Sequence, residues 1–557
     1  MKPINQLKMT YQDLLITTTE AENYAQKYFG ITAKAKALPG FEDFNFRLKV
    51  DNGEMYILKI SRADVDIEVL DFQTQTLNHL ATRKLSVELP KPVRNLNGET
   101  YFSFQDENGS TRWMKMNTWV NGRMAFEAKY HPAEMLESWG RVCGELYENL
   151  KGFEHKAAYK GHDWDLSISL NNRVLRQYIE DEKHLKIADY FWNLFEKEAL
   201  PIYPSLPKGI IHSDVNDYNL LVNNDLDNVQ ITGVIDYGDA LFTHRINELA
   251  IACAYATMFK ANPLEAAANL VKGYHKVTPL LAEELQILLP LITGRLLTSA
   301  IYAAKNHVFE PDNEYLFISE KPAWDALELW YKIPPKLVYY TFRNACGLEP
   351  CLKRVFFDDF ISSDKNSFAN VIQVNDKKII SLDLSVSSLD LGNNINFENP
   401  RNFQKRIDDI LWENEAEIGI GGYGEIRPFY NTDAYILPSN NGRQWRTVHL
   451  GLDIWTKVRT PVFAAFDGKV YSIKDNKGDD NYGPTIILEH EVNADLTFYT
   501  LYGHLSPIAD DLKVGQAIKK GEEIATIGTF PQNGNWAEHL HFQVILDMLG
   551  QNGDFFG

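Results

Sequence analysis

Two neighbouring stretches decide the fold of the first half of the chain: Gly-Ile-Ile-His-Ser-Asp-Val-Asn-Asp-Tyr-Asn-Leu-Leu-Val, residues 209–222, and Gly-Val-Ile-Asp-Tyr-Gly-Asp-Ala, residues 233–240. Apolar runs at 220–222 and 231–235 flank a polar turn at 223–228. Two apolar runs around such a turn predict a β-hairpin. The polar residues that border the hairpin are therefore expected to meet at one of its ends.

Three of these polar side chains form a candidate catalytic cluster. Asp214 and Asn219 precede the first strand, and Asp236 follows the second. Phosphoryl transfer uses such a set, because one Asp orients the acceptor hydroxyl while an Asn and a second Asp hold Mg²⁺ beside the nucleotide phosphates. A single Asp or Asn would indicate only a polar turn. We expect His212 to orient the loop, and Asp239 either to assist the metal or to cap the next helix.

The order of these residues resembles the signature of the aminoglycoside phosphotransferase family of small-molecule kinases, and within it the hydroxylysine-kinase-like and homoserine-kinase-like members. The pattern is His212-x-Asp214-x-x-x-x-Asn219, followed by Asp236. The resemblance implies a bilobal α+β protein-kinase-like fold, ATP as the phosphate donor, Asp214 as the catalytic base, and Mg²⁺ held by Asn219 and Asp236. The family usually has Gly where this chain has Ser213, a change that we do not expect to abolish activity.

The N-terminal part of the chain supplies the nucleotide side of the predicted site. Lys59 lies in an apolar strand at 55–60, where a lysine is unusual without a partner, and we expect it to contact the phosphates. Its partner on the following helix is left open between Glu68 and Gln73. A turn around Gly40 is expected to cover the phosphates.

The resemblance also places the hinge between the two lobes. Residues 113–122 are expected to join the two lobes, with groups near Asn117 and Trp119 meeting the adenine. The segment 155–165 either lines the acceptor pocket or is a polar loop between helices.

A second constellation lies in the last quarter of the chain. It consists of His449-x-x-x-Asp453, then His504, then His539-x-His541. Side chains two apart on a strand share a face, so the last two histidines are expected to point the same way while their neighbours face the core. Imidazole and carboxylate groups suit Zn²⁺, and a catalytic zinc keeps three protein ligands and a water that it makes acidic.

These motifs resemble the LytM/lysostaphin-type metallopeptidase family over about residues 420–550. The resemblance implies zinc ligation by His449, Asp453 and His541. It implies that His504 and His539 polarise the attacking water and stabilise the tetrahedral intermediate. The chain departs from the family pattern over residues 530–538, which affects the shape of the pocket and hence the substrate.

Changes in residue composition along the chain, and proline and glycine residues between them, suggest how the chain is divided into domains. We predict a kinase domain at 1–345, a linker with a short β element at 346–400, and a mainly antiparallel β metallopeptidase domain at 401–557. A length of 557 residues exceeds that of an ordinary single domain. The most apolar window, 287–304, contains Pro290, Gly294 and Arg295, and so predicts a buried helix pair rather than a membrane span.

Charge and cysteine content exclude several classes of function. The net charge of −19 argues against general binding to nucleic acid or to an anionic membrane. Four scattered cysteines do not make a disulfide scaffold. The first residues lack a charged start followed by an apolar run, so no secretory signal is predicted and a cytoplasmic location is expected.

The expected function is a fusion of two enzymes. The first phosphorylates a hydroxyl on a small amino-bearing metabolite, an amino alcohol or a hydroxy-amino acid, and the second is a zinc-dependent peptidase acting on a peptide. Three alternatives remain: a kinase with a zinc module that only binds, an aminoglycoside-resistance phosphotransferase, and a non-enzymatic peptide-binding scaffold. The resemblance also raises the possibility that this chain is a fragment lacking a pyridoxal-phosphate-dependent domain.

Overall fold

The computed structural model describes residues 16–38, 43–61, 65–106, 109–161, 163–225, 227–309, 317–363, 368–393 and 397–553. The chain divides into two compact units, the first ending at Leu348 and the second beginning at Glu349. The predicted turn at Gly40 and the residue His162 lie outside the described residues.

An antiparallel sheet and two helices form the N-terminal lobe of the first unit. The strands are β1 (Lys34–Leu38), β2 (Phe44–Lys49), β3 (Met55–Ile60), β4 (Pro92–Val93), β5 (Tyr101–Gln105) and β6 (Thr111–Thr118). They run in the order β1-β2-β3-β6-β4, and β5 also pairs with β6. Helix α1 (Thr18–Tyr24), which continues as a π-helix at Ala25–Phe29, packs on one face of the sheet through Ala21 and Ala25. Helix α2 (Ile67–Leu80) follows β3.

The C-terminal lobe combines short strands with a large helical core. In chain order it contains β7 (Arg123–Met124), α3 (Ala125–Ala128), α4 (Ala133–Leu150), 3₁₀ segments at Lys156–Tyr159 and Leu166–Tyr178, α5 (Glu182–Leu194), a π-helix at Phe195–Ala199, a 3₁₀ turn at Tyr203–Ser205, β8 (Lys208–Ile211), β9 (Leu220–Val222), β10 (Ile231–Val234), β11 (Leu241–His244), α6 (Ile246–Thr257), α7 (Pro263–Val277), α8 (Ala282–Phe309), α9 (Glu320–Trp330) and α10 (Pro335–Ala345).

The pairing of β9 with β10 is antiparallel and confirms the predicted hairpin. Asp239 does not cap the next helix, because β11 first pairs with β8 and α6 begins only at Ile246, with Arg245 at its N-cap. This second strand pair encloses the loop between β8 and β9, which carries Asp214 and Asn219. The candidate catalytic residues are thus held between two short antiparallel pairs.

The apolar window that was expected to form a helix pair is part of one continuous helix, α8, with Pro290 inside it. Among the described residues, α8 is the one helix long and apolar enough to cross a membrane. Of its most apolar window, 89% is buried inside the protein. Its contacts with α6 and α9 are those of a core helix.

The second unit is built on an eight-stranded sheet with the order β12-β13-β16-β23-β20-β19-β18-β21. Its elements are α11 (Lys353–Ser363), β12 (Ile379–Leu382), a helix at Pro400–Glu413, β13 (Ile418–Gly421), a 3₁₀ turn at Asp433–Tyr435, β14 (Ile436–Leu437), β15 (Gln444–Trp445), β16 (Leu452–Trp455), β17 (Pro461–Phe463), β18 (Gly468–Asn476), β19 (Gly483–Glu491), β20 (Thr497–Gly503), β21 (Ala517–Ile518), β22 (Glu523–Thr526) and β23 (Leu540–Ile545). The sheet is antiparallel except where β12 pairs with β13.

The segment 346–400, predicted as a linker, belongs to this second unit from Glu349 onward. Its β element is β12, an edge strand of the eight-stranded sheet. Leu382 and Leu384 are buried with Phe403 and Ile407 of the helix at Pro400–Glu413. This burial of apolar side chains is what ties the segment to the domain that follows it.

Candidate active sites

The five side chains expected to bind the nucleotide all line one cavity of about 660 Å³ in the first unit. They are Lys59, Asn117, Trp119, Asn219 and Asp236. Lys59 and Asn117 lie on strands of the N-terminal lobe and Trp119 directly follows β6. Asn219 lies in the β8–β9 loop, and Asp236 follows β10. The structure therefore brings together residues that are up to 177 positions apart in the chain.

Lys59 pairs across this cavity with Asp236, at 3.4 Å between Nζ and Oδ2. Neither helical candidate is its partner, because Glu68 pairs with Lys156 and Lys160 while Gln73 accepts a hydrogen bond from Lys115. Burial lowers the pKa of Lys59, but the carboxylates of Asp236 and Asp43 together outweigh burial, so the lysine's pKa is raised. The pair joins the two lobes where the phosphates of a nucleotide are expected.

Asp214 is held in a network of donors at the base of the β8–β9 loop. It accepts hydrogen bonds from Nδ2 of Asn219 at 2.7 Å and Nδ2 of Asn216 at 2.9 Å. Burial, followed by the charge of Asp239, raises the pKa of Asp214 to about 6, against the opposing charge of Arg295. A carboxylate with a raised pKa is still ionised at neutral pH and is a better acceptor for a hydroxyl proton. Because the Asn219 amide nitrogen faces Asp214, its oxygen is the atom suited to a cation.

Arg295 is a neighbour of Asp214 that the sequence analysis did not assign to the site. It lies on α8, is 2% exposed, and donates to Oδ1 of Asp214 at 3.2 Å. Its guanidinium lies 4.7 Å from the ring centroid of Trp164 and donates to the Trp164 carbonyl at 3.2 Å. The signal that could have found it is a lone arginine in an otherwise apolar window. Through this arginine, the segment 155–165 reaches the catalytic loop.

Buried hydrogen bonds shape the loop that carries Asp214. The carboxylate of Glu248 accepts from the backbone N–H of Ser213 at 2.8 Å and from that of His212 at 3.3 Å. The Asp214 N–H donates to Nδ1 of His212, so Nε2 carries the proton and donates to the Ile235 carbonyl at 3.1 Å. His212 therefore ties the loop to the end of β10, in keeping with its expected orienting role.

Ser213 adopts a left-handed backbone conformation, with φ +66°. A non-glycine residue there costs about 1–2 kcal/mol, which explains why glycine suits this position. We expect Ser213→Gly to raise the free energy of unfolding of the first unit by about 1 kcal/mol. Urea denaturation of the full chain measures this free energy, with the loss of kinase activity as the signal of unfolding of the first unit. Ser103→Gly on the exposed side of β5 is the control and should lower that free energy by about 0.5–1 kcal/mol.

In the second unit, the five residues of the histidine and aspartate motifs line one cavity of about 500 Å³. They are His449, Asp453, His504, His539 and His541. Asp453 on β16 is opposite His541 on β23 in the sheet register. Leu540, between the two histidines of the His-x-His unit, is fully buried in the core, which confirms the predicted alternation of faces.

Three of these side chains converge closely enough to hold one metal ion. Ligand atoms of His449, Asp453 and His541 all lie within 4.8 Å of one another. Oδ1 of Asp453 is 3.2 Å from Nε2 of His449 and 3.0 Å from Nδ1 of His541. The two imidazole nitrogens are themselves 3.1 Å apart.

The hydrogen bonds of the two imidazoles fit a cation in this position. Nδ1 of His449 is held by the Gly422 carbonyl at 2.9 Å, and Nε2 of His541 by Oε1 of Gln543 at 3.2 Å. Each ring therefore carries its proton on the outer nitrogen and turns a lone pair inward. Two lone pairs and a carboxylate facing one point repel one another unless a cation lies between them, and such outer partners are typical of zinc-binding histidines.

The remaining two histidines are positioned by backbone carbonyls beside this cluster. Nδ1 of His504 donates to the Asn533 carbonyl at 2.8 Å, and Nδ1 of His539 to the Ala537 carbonyl at 2.6 Å. Their ring centroids are 4.4 Å apart. Burial and the neighbouring imidazoles hold the pKa of His504 well below its usual value, so its Nε2 is a neutral acceptor.

Arg427 is a second residue that the sequence analysis missed. It is 1% exposed and donates to Oδ2 of Asp453, the carboxylate oxygen turned away from the histidines. It also pairs with Glu425 and contacts the Tyr430 hydroxyl. A buried arginine in this position fixes the carboxylate's orientation. No motif spacing marks it, because Arg427 lies in a segment between strands that is held beside the site by the bridge of Ile426 with Val448.

Aromatic side chains form much of the remaining wall of this cavity: Tyr430, Tyr435, Trp445, Tyr482 and Trp536. Trp536 comes from the segment 530–538, in which the chain departs from the expected family pattern. The departure therefore supplies part of the pocket wall as well as the Asn533 carbonyl that holds His504.

The fold and the two sites define the chain as a small-molecule kinase joined to a metallopeptidase-type domain. Comparison with known families gives the same result. Residues 34–284 match the phosphotransferase enzyme family, and residues 447–552 match peptidase family M23. The first unit therefore belongs to the phosphotransferase enzyme family, as an ATP-dependent small-molecule phosphotransferase, and the second carries an M23 domain.

Two relatives and one solved structure are similar to parts of the chain. Hydroxylysine kinase of Mus musculus is 26% identical over 347 residues, covering 58% of this chain and 92% of that protein. The peptidoglycan DD-endopeptidase ShyB of Vibrio cholerae is 33% identical over 98 residues, covering 18% of this chain and 20% of that protein. The solved structure of a microcompartment-associated aminopropanol kinase covers 60% of this chain and 100% of its own, at 18% identity and a TM-score of 0.46.

Proposed function

We propose that the first unit transfers the γ-phosphoryl group of Mg²⁺-ATP to a hydroxyl on a small amino-bearing metabolite, an amino alcohol or a hydroxy-amino acid. The observation that carries this proposal is the convergence of Lys59, Asn219 and Asp236 on one cleft, with Asp214 hydrogen-bonded to Asn219 beside it. Relatives named hydroxylysine kinase and homoserine kinase support the acceptor class. We also propose a cytoplasmic location, where ATP is available.

Each residue has a distinct part in this reaction. Asp214 accepts the proton of the acceptor hydroxyl, and the Arg295 guanidinium fixes the carboxylate while the acceptor approaches. Lys59 contacts the phosphates, and Asn219 and Asp236 would hold Mg²⁺, which supplies charge neutralisation for the transferring group. Main-chain groups at the end of β6 near Asn117 and Trp119 border the space for the adenine.

A screen of ATP consumption tests the acceptor class. Three kinds of acceptor are compared. The first is a hydroxy-amino acid, homoserine or hydroxylysine. The second is aminopropanol, an amino alcohol without a carboxylate, and the third is an aminoglycoside such as kanamycin. We expect turnover with acceptors of the first two kinds that is lost when the hydroxyl is removed, as with lysine in place of hydroxylysine. Turnover confined to aminoglycosides would overturn the proposal in favour of a resistance enzyme.

We further propose that the second unit is a zinc-dependent peptidase. Support comes from the inward lone pairs of His449 and His541 around Asp453. When bound, Zn²⁺ would lower the pKa of a water and polarise the scissile carbonyl. The neutral Nε2 of His504 would take the water's proton, and His539, whose Nδ1 is engaged by the Ala537 carbonyl, would donate a hydrogen bond from Nε2 to the developing oxyanion when its ring is protonated. The aromatic wall would hold the peptide.

Hydrolysis of a panel of glycine-rich and cell-wall peptides, with and without a chelator, tests this second activity. We expect cleavage that disappears with chelator and returns with added Zn²⁺. Peptide binding without cleavage by the zinc-loaded protein would instead support a kinase with a binding module. Loss of both binding and cleavage would leave the kinase as the active half.

A further inference from the structure

The floor of the nucleotide cleft carries a row of polar side chains on three adjacent strands. In the antiparallel register, Asn45 on β2 is opposite Lys59 on β3, and Lys59 is opposite Lys115 on β6. All three line the same cavity, together with Asp236 and Gln73. Residues directly opposite each other in a sheet have neighbouring side chains on one face. The row therefore presents two ammonium groups side by side.

Lys115 is the unexpected member of this row. It is 8% exposed, and its ammonium group donates to Oε1 of Gln73 on α2. Lysines are rarely buried without a carboxylate partner. Burial, followed by the charge of Lys59, lowers the pKa of Lys115 to about 8. A buried cation that is hydrogen-bonded to a neutral amide is costly to keep, which indicates a use for its charge.

Two carboxylates, Asp236 and Asp43, act through their charge to raise the pKa of both lysines, but the hydrogen-bond partner of Lys115 is an amide. Asp236 pairs with Lys59, and Glu68 on α2 is engaged by Lys156 and Lys160. The position on α2 that faces Lys115 is the neutral Gln73. At the other end of the row, Oδ1 of Asn45 is buried without a hydrogen-bond partner. Lys115 thus lies beside a second ammonium group with an amide as its hydrogen-bond partner, and the row also holds an unsatisfied polar atom.

The next row of the same sheet differs in character. There Arg47 on β2 is opposite Ile57 on β3, which is opposite Asn117 on β6. Arg47 lies over the ring of Trp119, with its guanidinium carbon 5.8 Å from the ring centroid. This row therefore carries one guanidinium placed over an aromatic ring, whereas the row beside Asp236 carries two ammonium groups.

We propose that Lys115 is a second phosphate-binding cation of the kinase site, with Gln73 holding its side chain in place without neutralising it. The inference rests on the proposed nucleotide-binding function of this cleft and adds to it. Lys59 and Lys115 together contact the phosphate chain from the sheet, and Asp236 is left to hold Mg²⁺ once nucleotide displaces it from Lys59.

Titration calorimetry of the full chain with ATP, ADP and adenosine in the presence of Mg²⁺ tests the proposal. For Lys115→Met we expect affinity for ATP and ADP to fall roughly 10- to 100-fold, as for loss of a charged hydrogen bond, with adenosine affinity unchanged. Lys115→Arg should retain ATP affinity within a few-fold. Lys49→Met, on the exposed end of β2, is the matched control and should bind all three ligands normally.

Gln73→Glu supplies an independent variant that keeps the lysine. A carboxylate there should neutralise Lys115 and weaken ATP and ADP binding as Lys115→Met does. The proposal is overturned if Lys115→Met binds ATP as tightly as the parent, if adenosine affinity falls equally, or if Gln73→Glu tightens ATP binding. Because these are binding measurements without an acceptor, failure to find the acceptor would leave their outcome intact.

Discussion

Replacing Asp214 by Asn is expected to lower kcat for phosphorylation of the acceptor by about 10²–10⁴-fold, the usual contribution of a general base. The amide keeps the size of the side chain but cannot accept the hydroxyl proton. ATP affinity should change little, because the phosphates are expected to contact Lys59 and the metal held by Asp236. Steady-state kinetics with the best acceptor from the screen, together with ATP calorimetry, separates these two effects.

The control for this prediction is a carboxylate on the hairpin that follows Asp214 in the chain. Asp225 is exposed in the turn between β9 and β10, and Asp225→Asn should leave kcat unchanged. The Asp214 variant also leaves the buried Arg295 without its carboxylate, so the folded fraction must be checked by circular dichroism. A folded Asp214→Asn protein that retains kcat within tenfold of the parent would contradict the assigned role.

Replacing His541 by Ala is expected to abolish stoichiometric zinc binding. The variant leaves two of the three ligands. Loss of a residue that only hydrogen-bonds to a metal ligand costs about 10–100-fold in metal affinity, so loss of a ligand itself should cost more than roughly 100-fold. Metal analysis after dialysis, supported by competition with a chromogenic chelator, measures the change. We expect one zinc per chain for the parent and none for the variant.

His490 provides the matched control in the same unit. Its ring is buried between the Asp467 carbonyl and the Thr500 hydroxyl, and it does not line the cavity. His490→Gln should therefore lower stability but keep one zinc per folded chain. Equal zinc contents in the His541 variant and the parent would show that the cluster is not the metal site.

Much of both sites could be predicted because their motifs are local. The hairpin at 220–234 follows from two apolar runs around a polar turn, and the sharing of a face by His539 and His541 follows from strand geometry. Proximity in sequence places Asp214 and Asn219 on one loop without knowledge of the fold. The left-handed conformation of Ser213 was signalled only by a departure from the expected glycine.

The partners of these residues could not be predicted in the same way. Lys59 pairs with Asp236 rather than with a residue on α2, because the closure of the two lobes places them together across 177 positions. Arg295 was visible as a charge in an apolar window, yet only the packing of α8 brings it to Asp214. Gln73 was a candidate partner of Lys59, but it accepts a hydrogen bond from Lys115, which is the neighbour of Lys59 on the adjacent strand.

By itself, the sequence determined which residue types stand at which turn, strand or loop, and hence the two kinds of chemistry in the chain. Periodicity and motif spacing act over a few residues, where backbone geometry alone relates the side chains. Only the tertiary structure decided strand order, the pairing of Lys59 with Lys115 across β3 and β6, and the buried arginines behind Asp214 and Asp453. Such contacts depend on which apolar faces pack together, and that is a property of the whole chain.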